Sequence, residues 1–533
     1  MNKCLAKSPG ARYASATELR LALEAAALVF SSGVTPSGFG TRTLARTIAA
    51  GLLAAVAIAL GVYFWKTFQS RDQIDSIAVL PFEIRSNDPD ADYISDGITE
   101  SINNSLSRLP DLKVIPHGIA LHYKGKPADA QKTGRELHTD AVLIGRIAQR
   151  ADELTIGMEL DDVRSGKQLW GERYVRRVAD LLTVQKEIAG EVSQRLRSRL
   201  SQSDRQQIIA KGSTSDPEAY QLYLKGKYHT SKLTRDEFKK GIEFFNQAIE
   251  RDPNYALAYG GLAYYYILQD DWYLSPGLAA SRAKAAAEKA LAIDESNADA
   301  HFALALELHW YEWNWPAAER EFKRAIALNP NYADAYGLYA WFLADMGRNS
   351  EAVALASQAQ RIDALSLLAN LAPGSISVFT RQWDPAIEQL RSAIDLDKTH
   401  WMAHCFLGRA YEAKGHLPQA IMSLQAALQL DPQHSEIWSA IGHAYAVSGK
   451  TAGANQVLTH LKELSASTYV APYNVAIIYA GLGDKDQTFA WLEKSYKDRG
   501  YYLPVYLTTD SRLDKFHNDP RFIDLVRRVG LPQ

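Results

Sequence analysis

Leu407-Gly408-x-x-Tyr411 … Ala420 … Leu424 … Ala427 … Pro432 returns 34 residues later as Ile441-Gly442-x-x-Tyr445 … Ala454 … Leu458 … Leu461. The same frame starts at Asp299, Ala333, Leu367, Trp401, Ser435 and Tyr469 without slippage. Upstream, Leu262-Ala263-x-x-Tyr266 … Ala283 … Ala287 … Ala290 fits with nine extra residues between its helices, and residues 216–253 make another copy. Asp252-Pro253-Asn254-Tyr255, Asn329-Pro330-Asn331-Tyr332 and Asp431-Pro432 mark turns between copies. Each unit predicts two antiparallel helices. They lock where a small residue such as Gly408 or Ala420 lets the backbones approach, and each pair buries its remaining face on the next.

This is the period and pattern of tetratricopeptide repeats, and about eight of them are expected over residues 216–500, as a right-handed solenoid with a concave inner surface. Leu367–Lys398 is a weak copy, where Pro373-Gly374 predicts a distorted first helix. Residues 501–533 resemble the terminal cap of such arrays, with Asp519-Pro520-Arg521-Phe522 opening a last helix. Counting along the frame places Tyr264, Trp310, Trp341, Arg409, Glu412 and His443 on the inner surface, as the candidate groove for a protein or peptide partner. The lining is aromatic and mixed in charge. It lacks the Lys/Asn cluster that would clamp an acidic peptide terminus. The dense run Trp310, Trp313 and Trp315 reads either as packing between helices or as a partner hot spot.

Composition bounds the rest. A chain of 533 residues is too long for one core, and two to four domains are expected. Hydrophobic residues make up 47% and charged ones 23%, which excludes global disorder. Lys+Arg number 59 and Asp+Glu 61, a net charge of −2 that argues against nucleic acid as a partner. Two cysteines, Cys4 and Cys405, exclude a disulfide scaffold and a thiolate-rich zinc site. His400, His404 and Cys405 lie within helical reach of one another but read as core residues, and neither a metal nor a cofactor is expected.

Residues 76–205 alternate strand and helix signals: Ser76–Phe82, Leu112–Ile115, Ala141–Ile147, then Leu154–Leu160 and Gln168–Tyr174 as a hairpin around Arg164-Ser165-Gly166-Lys167. Helices are expected over Gly97–Arg108, Asp129–His138 and Ala179–Leu200, giving a layered α/β domain with a partly parallel sheet. The phrases SIAVLPF, SDGITESINNSLSRLP, AVLIGRI and LWGERY resemble the TolB-like amino-terminal domain, which implies a non-catalytic interaction or sensing module. Gly125-Lys126 lacks the rest of a phosphate loop. Asp96-Gly97 reads as a helix-cap turn, Asp161-Asp162 as a hairpin bend, and His117, His122 and His138 lack metal-ligand spacing.

Thr47–Trp65 is a run of 19 uncharged residues, roughly 28 Å long as a helix. It predicts a single transmembrane helix, flanked by Arg42 and Arg46 on one side and by Tyr63, Phe64, Trp65 and Lys66 on the other. Before the run stand Lys3, Lys7, Arg12, Arg20, Arg42 and Arg46; after it, Lys66, Arg71 and Arg85. That bias places the N-terminus in the cytoplasm and the C-terminal domains outside it, across a bacterial inner membrane in the periplasm. Gly51, Ala55 and Ala59 offer a small-residue face for a homodimer, although an Ala-rich segment also produces this spacing by chance.

Ser15 and Glu18 form a capping box for a helix near Ala16–Val29. Cys4-Leu5-Ala6-Lys7-Ser8-Pro9, Arg12-Tyr13, Ser15-Ala16 and Glu18-Leu19 resemble the last helices of a bacterial serine/threonine kinase domain. The resemblance gives Arg12 a structural role opposite a glutamate that this sequence lacks, along with the glycine-rich loop, the strand lysine, the catalytic loop and the metal-binding aspartate. Residues 1–30 are thus expected to be a kinase remnant, and 31–46 a linker. The combined expectation is a multidomain chain: one transmembrane helix, a TolB-like α/β domain and an all-α solenoid. It acts as a membrane-anchored, non-catalytic interaction protein of bacterial signalling, or else as the sensor half of an active kinase. A membrane-anchored transcription regulator would need a winged-helix domain for which residues 1–46 are too short, and a soluble assembly scaffold is the plainer alternative.

Overall fold

The structure is a computed structural model. It describes residues 74–86, 92–107, 112–115, 120, 123–126, 129–196, 214–270, 272–363 and 366–532.

Period-2 alternation builds a six-stranded mixed sheet from β1 (Ser76–Val79), β2 (Glu83–Arg85), β3 (Lys113–Val114), β4 (Ala141–Arg150), β5 (Glu153–Asp162) and β6 (Gln168–Arg177). The order is β3-β1-β4-β5-β6. β1 runs parallel to β3 and β4, with Ile77 opposite Ala141 and Val79 opposite Leu143, whereas β4, β5 and β6 are antiparallel. β2 continues the line of β1 along β4, pairing Ile84 with Ile147. Between them stands Pro81, which has no N–H to give a ladder. On one face Ile77, Val79, Leu143 and Ile156 pack against α1 (Asp92–Ser107) and α3 (Leu181–Leu196); on the other Ala78, Leu80, Val142 and Ile144 form a smaller core beside α2 (Ala130–Glu136).

The solenoid follows as eight helix pairs among the described residues. They are α4/α5 (Pro217–Thr230, Arg235–Arg251), α6/α7 (Ala256–Ile267, Pro276–Ile293), α8/α9 (Ala298–Glu307, Trp315–Leu328) and α10/α11 (Ala333–Asp345, Asn349–Ile362). Then come α12/α13 (Leu367–Phe379, Trp383–Leu396), α14/α15 (Trp401–Ala413, Leu417–Leu430), α16/α17 (Ser435–Val447, Thr451–Leu464) and α18/α19 (Pro472–Leu482, Lys485–Asp498). Helix α12 runs on through Pro373. In α12 every residue from Leu368 to Phe379 is buried, while its partner α13 buries only Ala386, Leu390 and Ala393. Junctions repeat one local device: Asp252, Asp294, Asn329, Asp397 and Asp431 end a helix, and each side chain accepts the backbone N–H two residues on. This Asx turn is the reason for the aspartates and asparagines of the sequence pattern.

The small residue of each pair also has a measurable role. A Cβ on Gly408 would lie 2.6 Å from Leu424 Cγ and 3.2 Å from the Ala420 carbonyl oxygen. Gly408→Val therefore forces α15 away from α14 and is expected to cost roughly 2–3 kcal/mol, read as a lower urea midpoint.

The sheet unit and the solenoid share a core. Ala219, Tyr220, Leu224, Tyr255 and Ala258 join the cluster beneath the sheet. Lys227 pairs with Glu100 at 3.4 Å, and Asn331 donates to Ser107 Oγ at 2.8 Å.

The transmembrane part of the expected fold is corrected. Among the described residues no helix is long and apolar enough to cross a membrane. Thr47–Trp65, with Gly51, Ala55 and Ala59, and the kinase-like segment with Arg12 lie outside the described residues. The fold is a helical solenoid with a small sheet domain, and the single-pass inner-membrane placement with periplasmic domains is withdrawn with the helix.

Candidate functional site

Repeat register sets the inner face. Trp341, Ser375, Arg409 and His443 are spaced 34 residues apart and stand at equivalent positions of α10, α12, α14 and α16. Trp341 Nε1 donates to Ser375 Oγ at 2.9 Å, and its ring stands edge-on to Phe379 and Phe406. The Arg409 guanidinium lies over the rings of Phe406, at 4.9 Å, and Tyr506, at 4.5 Å.

The solenoid curls until its ends meet. The extra residues between α6 and α7 carry Trp272 and Tyr273 across to the sixth and seventh pairs. Tyr273 O–H donates to Asp431 Oδ2 at 2.5 Å, and Trp272 sits 5.5 Å from Trp401 and 5.4 Å from His434. Arg235 donates to Gln433 Oε1 at 2.6 Å. Trp310 and Trp313 belong to the same closure: Trp313 packs on Tyr496 at 5.4 Å, and Arg499 covers the Trp313 ring at 4.4 Å.

The enclosed face is filled by the chain's own C-terminal segment, α20 (Tyr502–Tyr506), a 3-10 turn (Ser511–Phe516) and α21 (Pro520–Val529). Tyr501 stacks on Trp310 at 5.0 Å and accepts from Trp272 Nε1 at 3.2 Å. Tyr502 and Tyr506 donate to the two oxygens of Glu436 at 3.2 and 3.4 Å. Asp510, 1% exposed, accepts from Arg512 Nη2 at 2.6 Å and Tyr473 O–H at 3.0 Å, and pairs with Arg409 at 3.5 Å. Burial opposes ionisation of Asp510, but the charges of Arg512 and Arg409 prevail and hold its carboxyl well below the usual range.

Five of the six residues read from the frame lie along this face. Trp310, Trp341, Arg409 and His443 are each 5% exposed. Glu412 is paired with His443. Tyr264 is not with them: it donates to Asp334 Oδ2 at 3.0 Å and packs against Phe302 and Tyr332. The frame did not reveal Tyr501, Tyr506, Asp510 and Arg512, nor Trp272 and His434. The nine extra residues and the aromatic stretch Tyr501-Tyr502-x-x-x-Tyr506 were the available signals. His400 Nε2 faces the Leu367 carbonyl at 2.7 Å, and Cys405 is a buried free thiol. Among the described residues no group of three or more His, Cys, Asp or Glu side chains is set to hold a metal ion.

Known proteins match in pieces. The model of the second domain of HilA/YgeH-like transcriptional regulators matches residues 72–189, in place of the TolB-like domain that the sequence phrases resembled. Tetratricopeptide models match residues 321–354 and 408–449. The putative adenylate cyclase 3 of Rhizobium meliloti (strain 1021) is 32% identical over 237 residues, 44% of this chain and 40% of the relative. The chain thus spans about two fifths of the length of that relative, and no kinase relation emerges. Among solved structures, Pseudomonas aeruginosa PilF is 22% identical, covering 40% of this chain and 93% of its own, with a TM-score of 0.31. PilW, a type IV pilus biogenesis factor, is 21% identical over 40% of this chain and 94% of its own, at 0.32. The APC/C hetero-tetramer Cut9-Hcn1 is 17% identical over 65% and 63%, at 0.41. The chain is a tetratricopeptide-repeat protein, a protein-interaction fold joined to a small sheet domain.

Proposed function

We propose that this chain is a non-catalytic interaction scaffold of bacterial signalling. Its solenoid groove receives an extended protein segment with aromatic residues followed by an acid. The observation that carries the reading is the groove's present occupant. Tyr501, Tyr502, Tyr506 and Asp510 seat on Trp310, Glu436, Phe379 and Arg409, which shows what this lining accepts. Aromatic anchors in desolvated pockets with a central arginine are the chemistry of a hot spot. A partner of the same chemistry would displace the segment. The likeness of residues 72–189 to a domain of transcriptional regulators, and the partial identity to a putative cyclase, support a regulatory setting. The output is then nucleotide cyclisation or transcription; the kinase output expected from residues 1–30 has no such support.

The test is photo-crosslinking in the cell of origin with a photoreactive residue at Ala413 or Val447, both exposed where the segment leaves the groove. Tyr506→Ala, which loosens the occupant, should strengthen a discrete protein adduct. Absence of a protein adduct in both the parent and the Tyr506→Ala background would reject the reading.

A further inference from the structure

Beside the seated segment lies a cavity of about 220 Å³, lined by Val378, Arg409, Glu412, His443, Asp510 and Arg512 among others. One water occupies roughly 10–15 Å³ on this measure, so the space is that of a small organic molecule, below the range of larger cofactors. Its floor is charged and buried: the side chains of Arg409, Glu412, Asp510 and Arg512 are 4%, 6%, 1% and 8% exposed. Its lip is open, since Val447 is 44% exposed.

Three polar atoms of that floor are buried and make no hydrogen bond within the protein: Arg409 Nη1, Arg512 Nη1 and Glu412 Oε2. Two are cationic donors and one is an anionic acceptor. The remaining capacity is already engaged. Arg512 Nε and Nη2 hold Asp510, Arg409 Nη2 faces Asp510, Arg409 Nη1 has Glu436 only at the looser 3.7 Å, and the other Glu412 oxygen is on His443. The charges also nearly cancel. Two arginines face Asp510, Glu412 and Glu436, and His443 closes the balance when protonated. A net ion would unbalance the buried cluster, while a ligand carrying both signs would not.

We propose that this cavity is a binding site for a small zwitterion of the α-amino-acid class. Its carboxylate bridges Arg409 Nη1 and Arg512 Nη1, and its ammonium group donates to Glu412 Oε2. Because Arg409 comes from α14 and Arg512 from the C-terminal segment, the ligand fastens that segment to the solenoid.

The test is calorimetry and thermal shift on the whole chain with each free L-amino acid at millimolar concentration, with acetate, methylamine and inorganic phosphate as controls. At least one amino acid should bind saturably and raise the melting temperature, and the controls should not. Glu412→Gln keeps the shape and a hydrogen-bonding side chain but loses the anion, and should weaken binding by at least about tenfold. Val447→Trp, at the solvent lip, should block entry without touching the charged floor. Absence of binding by any amino acid overturns the proposal, and leaves water as the partner of those atoms. So does equal binding by acetate or phosphate, which makes the site a plain anion site, or unchanged binding in both variants.

Discussion

Asp510→Ala is expected to lower the unfolding free energy by about 3–5 kcal/mol, because it leaves two buried guanidinium groups facing each other without their shared anion. Asp510 holds Arg512 through three short contacts, the nearest 2.6 Å, accepts the Arg512 backbone N–H at 3.0 Å, and meets Tyr473 and Arg409. The effect should be regional. Residues 501–516 lose their anchor, so trypsin should cut at Arg512 and Lys515 well before the helix pairs open. Asp510→Asn keeps the shape and part of the hydrogen bonding and should fall between the two. A linkage consequence has the same origin. The folded carboxyl titrates below its unfolded value of 3.8, so its contribution is complete above that pH and is lost as pH falls through the acid range. A variant that unfolds at the parent's urea midpoint, with unchanged proteolysis, would show that the segment is held by its tyrosines alone.

The solenoid was legible because its physics is local and repeated. Gly408 over Leu424, and the Asx turns at Asp397 and Asp431, recur at a fixed distance along the chain. The sheet was legible from alternation, with Ile77 and Val79 to one core and Ala78 and Leu80 to the other. β2 was missed because Glu83–Arg85 is three residues long and follows a proline that ends the readable strand. The frame also ranked Trp341, Arg409 and His443 as one inner row. It gave no account of what covers them, since a repeat register names a helix face and not a segment that returns from 100 residues away. Tyr264 holds the same place in its helix as Trp341, yet Asp334 and Tyr332 claim it first. Trp310 and Trp313 lie at a closure between distant repeats, and no period in the sequence encodes that contact.

Acidification from pH 7 to pH 5 is expected to weaken the closed solenoid, and His400 and His434 set the sign. Burial pushes His400 down to about 4, with its hydrogen bond to the Leu367 carbonyl and the nearby Asp397 acting against the shift. Burial lowers His434 as well, against the pull of Asp431 and Glu436. In the unfolded chain both imidazoles take a proton near pH 6.5. Between that pH and the folded value the unfolded state binds more protons, so stability is whole above 6.5 and falls as pH drops. For His400 the loss at pH 5 is roughly 2 kcal/mol, at about 1.4 kcal/mol per unit. His309 adds no slope in this window. Its Nε2 lies 3.0 Å from Asp345 in full burial, and burial lowers the imidazole and raises the carboxyl. The pair keeps one proton between them, the same number the unfolded pair holds between about pH 4 and 6.5. His434 adds location to the effect. It sits 4.1 Å from Trp401 and 5.4 Å from Trp272, with both ring nitrogens buried and without a hydrogen bond, so the closure between the second and sixth pairs should loosen first. His434→Phe fills the same aromatic slot and removes the titrating group. Its stability at pH 7 should be equal or higher by about 1 kcal/mol, and its loss between pH 7 and 5 smaller than the parent's. Urea midpoints at the two pH values, followed by tryptophan fluorescence, measure both quantities. An acid slope unchanged by His434→Phe would assign the whole dependence to His400, and a parent that gains stability at pH 5 would contradict both.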